Sequence, residues 1–591
     1  MILRRVGQFA VVALAILLWA SCGDIFRPVV LPVNTTPPTP GNFHEVFGVN
    51  SNVPFNLGTA MQIDVSGDTD IGAANMGVNP THAAILPNDS RVFVASAGSL
   101  FQGDSDVITA FTPVPDSGIA TGLGSPTTVS LPTVNTGQTA GITAITEAGN
   151  LVTVTLSSSL PNAAVGALIS ISSVGVAGYD GIFSISFVSG TTVQYVDSVT
   201  GLGASSGGNA TVPISCSYLP DFVATSQSTA VFVANYGTEN PPSCNLPNTD
   251  SVASVSVSSN AITNIAYLAP GSHPVAMIET PDTLNLYVLN EGNDTLLDLS
   301  PVDLSTQATI PIPNTPIWAA LREDGQRLYV LTQGDGKLYT IQTSTNTILS
   351  AQSVGGPGAN FALYDKSRNR LYVTNPTAGA VYIFNATADP PSLMGTVDVA
   401  APPVSSVASN CASYTCTYSP VTPVSVAALP DGSRFYVASY VTGTATSAGS
   451  PSTCPDTTQT TPGCVIPQMS VFDAATLTLK TTVFPLIPAS GTTQPFAVAP
   501  VTFCAPVTPY TPASARFRMF AVAATDSSRA YASMCDGGWV AIINTVSSSI
   551  TVGTDTTDTL VNDLNVPYGA GSPGTGGQLP LQYPLFLLTG Q

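Results

Sequence analysis

The sequence predicts an all-β protein, and its composition carries that prediction. Charged residues make up 8% of the chain, while glycine (50) and proline (49) are spread along its 591 residues. An ordinary soluble domain has roughly 25% charged residues, and helical bundles need long runs of Ala, Glu, Lys, Leu and Arg. No such run occurs here. A large, turn-rich, weakly charged β protein is the class that fits.

The charge balance excludes nucleic acid as a partner. The 15 Lys and Arg residues stand against 35 Asp and Glu residues, which gives a net charge of −20 and an isoelectric point near 4.1. A protein that binds DNA or RNA needs clustered cations that displace counterions from the phosphates. The hydrophobic fraction of 44% also separates the chain from disordered, highly charged proteins.

A repeat of about 42 residues organises most of the chain, as the spacing of Tyr287, Tyr329 and Tyr372 shows. Each copy has a strand centred on an aromatic residue, and in four copies a proline lies thirteen residues earlier. Further alternating strands follow, and Asp-Gly turns precede two of the aromatic strands, as in hairpins. The aromatic strands are RVFVAS (91–96), AVFVAN (230–235), NLYVLN (285–290), RLYVLT (327–332), RLYVTN (370–375), RFYVAS (434–439) and RAYASM (529–534).

Four short strands per repeat predict the blade of a β-propeller. A single blade leaves both faces uncovered, so neighbouring blades must pack around an axis. Seven copies predict seven blades, with the aromatic residues packed between them. The alternating stretch 56–79 precedes the first copy, and we expect it to close the ring by pairing into the last blade, around 516–553.

The repeat resembles the YVTN-type propeller repeat. RLYVTN (370–375) and MSVFDAAT (469–476) match that pattern best, and the resemblance covers roughly 79–115 and 217–553. It implies a seven-bladed, lactonase-like β-propeller, here in a bacterial lipoprotein. The resemblance specifies no single activity, because propellers carry many unrelated functions.

Insertions interrupt the repeat and predict additional structure. Residues 122–212 contain five or six alternating strands of their own, which predicts a small inserted β-domain of sandwich or barrel type. Long insertions in a repeat array usually emerge on one face, often the binding face. The predicted domains are a signal peptide (1–21), a lipid anchor and tether (22–45), closing strands with the first blade (46–121), an inserted β-sandwich-like domain (122–212), the remaining blades (213–560) and a C-terminal tail (561–591).

The first residues predict export. Two arginines precede an apolar segment at 9–20, which is the pattern of a signal peptide and too short to span a bilayer. Small residues before Cys22 resemble the bacterial lipobox, whose cysteine is lipidated, although Trp19 stands where that motif usually has leucine. We expect Cys22 to anchor the chain to a membrane in the periplasm or at the cell surface. Ordinary cleavage and release is the alternative.

The other eight cysteines agree with an exported chain, in which disulfides form and persist. They lie as neighbours along the sequence, which suggests local pairs, although eight cysteines allow 105 pairings. We expect these disulfides to cross-link irregular loops. The suggested pairs are Cys216–Cys244, Cys411–Cys416, Cys454–Cys464 and Cys504–Cys535.

Residues that could carry chemistry are few. Of the three histidines, only His82 and His273 lie within the repeats. Both could point towards the propeller axis, and the preferred alternative is that they are solvated or hydrogen-bonded in turns. No nucleophile-elbow, zinc-protease or phosphate-loop motif occurs. No cofactor is therefore expected; calcium is a weak candidate. The aspartates that suggest it are Asp64, Asp68, Asp70, Asp104, Asp106, Asp555, Asp558 and Asp563.

Two functions fit these features. The preferred one is a non-enzymatic binding or scaffold module in the cell envelope, with a protein or glycan partner. The alternative is a lactonase-type hydrolase whose site lies at the mouth of the propeller channel. A carbohydrate-binding protein that stacks exposed tyrosines on sugar rings is a third, weaker possibility.

Overall fold

The computed structural model describes eighteen stretches of the chain. They are 45–52, 56–98, 107–113, 123–124, 126–132, 138–160, 163–165, 168–197, 199–212, 217–225, 229–237, 248–401, 416–445, 463–485, 499–500, 518–546, 557–565 and 583–590. Within them, no helix is long and apolar enough to cross a membrane.

Strands in the first part of the described chain form three groups. Three strands precede the first repeat: β1 (Glu45–Asn52), β2 (Asn56–Asp64) and β3 (Thr69–Val78). Blade 1 contains β4 (Pro80–Ile85), β5 (Val92–Ser96), β6 (Val107–Phe111) and β7 (Thr127–Ser130). The insertion contains β8 (Gln138–Ala148), β9 (Leu151–Leu156), β10 (Leu168–Ser172), β11 (Gly181–Ser189), β12 (Thr192–Val196) and β13 (Asn209–Val212).

Blades 2 to 5 follow as four regular four-stranded sheets. Blade 2 contains β14 (Pro220–Ala224), β15 (Ala230–Asn235), β16 (Ser251–Ser256) and β17 (Ala261–Tyr267). Blade 3 contains β18 (Pro274–Glu279), β19 (Leu286–Asn290), β20 (Thr295–Leu299) and β21 (Thr306–Pro311). Blades 4 and 5 contain β22 (Pro316–Leu321), β23 (Arg327–Thr332), β24 (Lys337–Gln342), β25 (Thr347–Ser353), β26 (Phe361–Asp365), β27 (Arg370–Asn375), β28 (Ala380–Asn385) and β29 (Ser392–Asp398).

The last strands form two blades and one further strand. Blade 6 contains β30 (Cys416–Tyr418), β31 (Thr422–Ala428), β32 (Arg434–Ala445), β33 (Gly463–Asp473), β34 (Leu479–Val483) and β35 (Ala499–Pro500). Blade 7 contains β36 (Met519–Ala523), β37 (Arg529–Met534), β38 (Trp539–Asn544) and β39 (Thr559–Asn565), and β40 (Tyr583–Thr589) comes last.

The propeller has eight blades, so the prediction of seven is one short. All seven aromatic strands lie in blades 1 to 7. The eighth, which we call the closing blade, has the strand order β3-β2-β1-β40. The innermost strands of neighbouring blades contact one another in a closed circle, from β4 through β14, β18, β22, β26, β31 and β36 to β40 and back to β4.

Ring closure differs from the prediction. The stretch 56–79 does not pair into the last blade; β2 and β3 lie in the closing blade, where β2 pairs with β1 and β1 pairs with β40. Blade 7 is completed by its own fourth strand, β39. The stretch 561–591, predicted as a tail, therefore supplies the end of β39 and the innermost strand of the closing blade.

The closing blade was not among the seven repeats counted from the sequence because its aromatic motif is altered. Phe47-Gly48-Val49-Asn50 occupies the register of Tyr287-Val288-Leu289-Asn290, since Asn50 pairs with Pro584 as Asn290 pairs with Pro274. A Cβ on Gly48 would lie 2.7 Å from Met61 Cγ. Met61 leaves no room for the valine that blades 1 to 6 carry at this position, so glycine is needed and the motif cannot be recognised from the sequence.

The insertion is a closed six-stranded barrel rather than a sandwich. Its strand order is β10-β11-β12-β9-β8-β13, and it has its own apolar core around Ile145, Tyr179 and Tyr195. The barrel begins at Gln138, later than the predicted boundary at 122, because β7 belongs to blade 1.

Neighbouring blades are joined by a recurring arginine. In five blades, an arginine at the start of the second strand or just before it bonds the turn between the third and fourth strands of the next blade. Arg529, for example, donates from Nε and Nη2 to both carboxylate oxygens of Asp68 at 2.8 Å. The five pairs are Arg91 with Asn260, Arg327 with Asp389, Arg370 with the carbonyl of Ala474, Arg434 with Asp558 and Arg529 with Asp68.

The aromatic residues of the repeats also contribute to the contacts between neighbouring blades. All seven are buried, including Phe93 and Tyr329. The hydroxyl of Tyr287 donates to the carbonyl of Thr343 in the next blade at 3.1 Å, and that of Tyr436 donates to Asp558. These contacts agree with the packing role expected for them.

The two edges of the ring differ. Because the strands in each blade are antiparallel, the second-to-third and fourth-to-first connections share one edge, which we call the loop face. The opposite edge, the turn face, carries the first-to-second and third-to-fourth connections. The barrel joins β7 to β14 and therefore belongs to the loop face, as do the long connections from Asn235 to Ser251 and from Asp398 to Thr422. On the turn face the first-to-second connections are short, for example from Glu279 to Leu286. Two third-to-fourth connections on that face, in blades 1 and 7, are longer.

Candidate functional site

The two histidines of the repeats lie in different environments. His82 is on β4, the innermost strand of blade 1, and His273 directly precedes β18 on the loop face. His82 belongs to a layer of rings around the axis, whereas His273 belongs to a group of ionisable side chains between blades 2 and 3.

Six aromatic side chains form a closed cycle across the axis, which we call the aromatic layer. Successive ring centroids are 3.8 to 5.9 Å apart, and every member is at least nine-tenths buried. In the two blades without a ring at this register, the positions are Ala276 and Ser425. The layer therefore fills the axis at this level. Its members are His82, Phe222, Trp318, Phe361, Phe520 and Phe586.

His82 is held neutral in this layer. Its ring stacks on Phe222 at 3.8 Å, and its Nδ1 accepts a hydrogen bond from the backbone N–H of Val223 at 3.3 Å. Burial lowers the pKa of His82 to about 3, because the charged form would lose its hydration. The role of His82 is thus structural at neutral pH, and it does not line an open channel mouth.

His273 is oriented by a buried carboxylate. Asp250 Oδ1 lies 3.1 Å from Nδ1 of His273 and accepts its backbone N–H at 3.0 Å. The Asp250 side chain is 0% exposed, whereas that of His273 is 25% exposed. Nδ1 also lies 3.0 Å from the carbonyl oxygen of Tyr236. With Nδ1 facing two acceptors, it carries the proton, and Nε2 is left as the basic nitrogen.

Tyr236 and Glu291 complete the group. The Tyr236 ring stacks on His273 with centroids 4.3 Å apart, and its hydroxyl bonds the Glu291 carboxylate. Burial raises the pKa of Glu291, which the Tyr236 hydrogen bond and the nearby His273 partly oppose. Burial also raises the pKa of Tyr236, and the neighbouring carboxylates add to that effect. A Cβ on Gly292 would lie 2.7 Å from the His273 ring, so this position requires glycine.

The left-handed backbone conformation at His273 recurs at the same position in other blades. Its φ of 47° is left-handed, which is uncommon for a residue other than glycine. The residues before the first prolines of blades 1, 2 and 4, Asn79, Leu219 and Thr315, are also left-handed. The conformation thus belongs to the entry of the innermost strand, and the side-chain group alone distinguishes blade 3.

The group around His273 contains some of the side chains that a hydrolase uses. An Asp–His pair can take a proton from water, and a carboxyl with a raised pKa can return one. Ser272 is no nucleophile for His273, since its hydroxyl donates to the Ala269 carbonyl at 2.6 Å. Sequence reasoning named His273 but missed Asp250, Tyr236 and Glu291. Aligning the turns after the aromatic strands would have shown Tyr236 and Glu291 at like positions.

The remaining predicted site residues lie elsewhere. Cys22, Cys216, Cys244, Cys411, Cys454 and Cys504 lie outside the described residues, and Cys416 and Cys464 are described only by their backbone, on β30 and β33. Cys535 is buried in a short 3-10 turn after β37. The disulfide pairing stays a prediction.

The aspartates considered for calcium have protein partners where they are described. Asp64 accepts the Ser66 N–H, Asp70 accepts that of Gly72, and Asp68 and Asp558 pair with arginines. Asp563 lies on β39, whereas Asp104, Asp106 and Asp555 lie outside the described residues. Among the described residues, no group of three His, Cys, Asp or Glu side chains could hold a metal ion.

Comparison with known proteins leaves the function open. No family model and no curated protein matches the chain. Similar solved structures include dihydro-heme d1 dehydrogenase NirN in complex with DHE, at 10% identity and a TM-score of 0.46, with 94% of this chain and 78% of that chain covered. Kuenenia stuttgartiensis hydrazine synthase is 15% identical, with a TM-score of 0.37 and 58% and 86% covered. A putative 6-phosphogluconolactonase from Bacteroides fragilis is 14% identical, with a TM-score of 0.30 and 62% and 97% covered. Similarities this low do not bear on what this chain binds.

Proposed function

We propose that this protein is an exported, lipid-anchored β-propeller that acts as a non-enzymatic binding or scaffold module in the cell envelope. The observation that carries the proposal is the difference between the two faces. The barrel and most of the long connections emerge on the loop face, whereas the first-to-second connections of the turn face are short. Loops held by a rigid scaffold are where binding residues concentrate.

The N-terminal sequence supports the location. The apolar segment 9–20 and the small residues before Cys22 fit export followed by lipidation. A lipid at Cys22 and the Pro-rich stretch 28–41 would hold the propeller at some distance from the membrane. The YVTN-like repeat fits this location as a feature of a bacterial envelope protein.

Tyr267 supports a protein or glycan partner. It ends β17 at the loop face and is 48% exposed. Its hydroxyl lies 2.8 Å from that of the buried Tyr218, which holds the ring in place. An exposed ring fixed in this way loses little entropy when it stacks on a sugar or packs against an apolar side chain.

A photo-crosslinking experiment tests this proposal. A benzoylphenylalanine at position 267 in the full chain should form a specific adduct with an envelope protein or polysaccharide in intact cells. The same residue in place of Leu284, which is exposed on the turn face, serves as the matched control and should form none. Cys22→Ser should move the chain to the soluble fraction and abolish the adduct. Equal adducts at both positions, or none at either, would contradict the proposal.

The second candidate is the lactonase-type hydrolase, and the group around His273 favours it. Nε2 of His273 would take a proton from a water molecule that attacks a lactone carbonyl, while Asp250 stabilises the imidazolium. The new bond joins the water oxygen to the carbonyl carbon, and the ring C–O bond breaks. Glu291, with its raised pKa, would give a proton to the departing alkoxide.

Hydrolysis of simple γ- and δ-lactones by the full chain tests the second candidate. If the protein is a hydrolase, Asp250→Asn should lower kcat/KM at least about 100-fold, because the imidazole loses its orienting carboxylate. Leu284→Ala on the turn face should keep full activity. Lactone opening that survives both Asp250→Asn and His273→Ala, or no opening by the unmodified chain, would rule out this site.

A further inference from the structure

The aromatic layer separates two parts of the propeller axis that differ in how well they are filled. It lies near the loop-face end of the innermost strands, at the third residue of β4, β14 and β22. Two residues further towards the turn face, on the same side of each strand, lies a second set of eight positions. All eight are apolar: Ala84, Ala224, Ile278, Ala320, Leu363, Ala427, Val522 and Leu588.

Side-chain size decreases between the two levels. Six of eight positions carry rings in the aromatic layer, whereas four of the next eight are alanine. Protein interiors are otherwise close-packed. Alanine side chains are too small to fill the axis as the rings do, which argues for space on the turn-face side of the rings.

Solvent exposure agrees with that space. Five of the eight side chains, those of Ala84, Ile278, Leu363, Val522 and Leu588, are half-buried, and the other three are buried alanines. The residues just before them, such as Met277, Ala521 and Leu587, are buried. The rings two residues earlier, on the same side of each strand, meet in a closed cycle across the axis, which argues that the exposed parts of these side chains also face the axis.

We propose that this space, which we call the apolar well, binds one uncharged apolar molecule, such as a hydrocarbon chain, from the turn face. Its walls carry no ionisable group at the eight positions, and its floor is the aromatic layer. Concave apolar sites of this kind bury most of a small ligand's surface. A charged ligand would lose its hydration without finding an opposite charge.

Trp318 makes the proposal testable, because it lies in the floor of the well. Trp19 and Trp539 are the other two tryptophans of the chain, so Trp19→Phe with Trp539→Phe leaves Trp318 as the sole donor. The probe is N-phenyl-1-naphthylamine, which is uncharged, apolar and accepts energy from tryptophan. We expect saturable quenching of Trp318 with one probe per chain.

Substitutions locate the bound probe. Ala84→Phe fills the well and should weaken binding at least tenfold. Val522→Thr changes polarity with little change in volume, so it should fold normally and weaken binding several-fold. Ala351→Phe, on the exposed outer strand β25, is the matched control and should leave binding unchanged. Absence of saturable quenching, or equal binding by all three variants, would overturn the proposal without bearing on the loop face.

Discussion

Removal of residues 583–591 is expected to abolish cooperative folding of the propeller. These residues contain β40, which forms the innermost strand of the closing blade and contacts both β36 and β4. Tyr583, Leu585, Phe586 and Leu587 are buried there, and each buried large apolar side chain contributes roughly 1.5–3 kcal/mol. The summed loss is comparable to the whole stability of a typical domain, about 5–15 kcal/mol.

Thermal unfolding followed by circular dichroism checks this expectation. Deletion of Gly590 and Gln591 alone is the control, since it removes one backbone hydrogen bond, from the Gly590 N–H to the Glu45 carbonyl, and keeps the strand. Addition of the peptide YPLFLLTG to the truncated chain should restore a cooperative transition. A truncated chain with an unchanged midpoint would show that the closing blade does not need β40.

Acidification is expected to destabilise the protein through His82. The folded-state pKa of about 3 lies below the ordinary value of 6.5. Between these values the unfolded chain binds a proton at His82 that the folded protein does not, so the free energy of unfolding falls as the pH falls. The limiting slope is about 1.4 kcal/mol per pH unit. From pH 7 to pH 4.5 the loss should be about 2–3 kcal/mol.

Urea unfolding of the His82→Phe variant at pH 7 and pH 4.5 measures this contribution. Phenylalanine keeps a ring in the aromatic layer but cannot bind a proton, so the variant should lose about 2–3 kcal/mol less than the unmodified protein over this interval. Phe361→Leu perturbs the same layer at a position that does not contact the His82 ring, removes no ionisable group and should keep the full pH dependence. Identical pH dependence in the His82→Phe variant and the unmodified protein would refute this account.

The blades that carry the aromatic motif could be predicted from sequence because their determinants are local. Proline starts the innermost strand in most of them, and the aromatic of the second strand follows at fixed spacing, as with Pro274 and Tyr287. The closing blade could not be counted in this way. Three of its strands, β1 to β3, precede blade 1 in the sequence, and the fourth, β40, follows blade 7. Its aromatic motif also has glycine at position 48, because the Met61 side chain on the neighbouring strand lies too close for a larger residue.

The candidate site was predictable only in part. His273 stood out as one of three histidines, but nothing in its local sequence indicates Asp250. That carboxylate directly precedes β16, 23 residues before His273, and reaches it because blades 2 and 3 pack together. The sequence position of His82 was compatible with either an axis-facing or a hydrogen-bonded structural role. Only its partners from distant strands, Phe222 and Phe586, show that it packs in a filled part of the axis.

The pairing of β1 with β40 also sets an order on folding. Val49 pairs with Phe586, so the contact spans nearly the whole chain, and such non-local contacts form slowly. As the polypeptide is made from its N-terminus, the edge of β1 that pairs with β40 stays open until β40 has been made. Open edges invite pairing with other chains. Pairing of β40 with β1 is thus the step that fixes the topology of the ring, and interruption of synthesis before β40 would leave a species prone to aggregation.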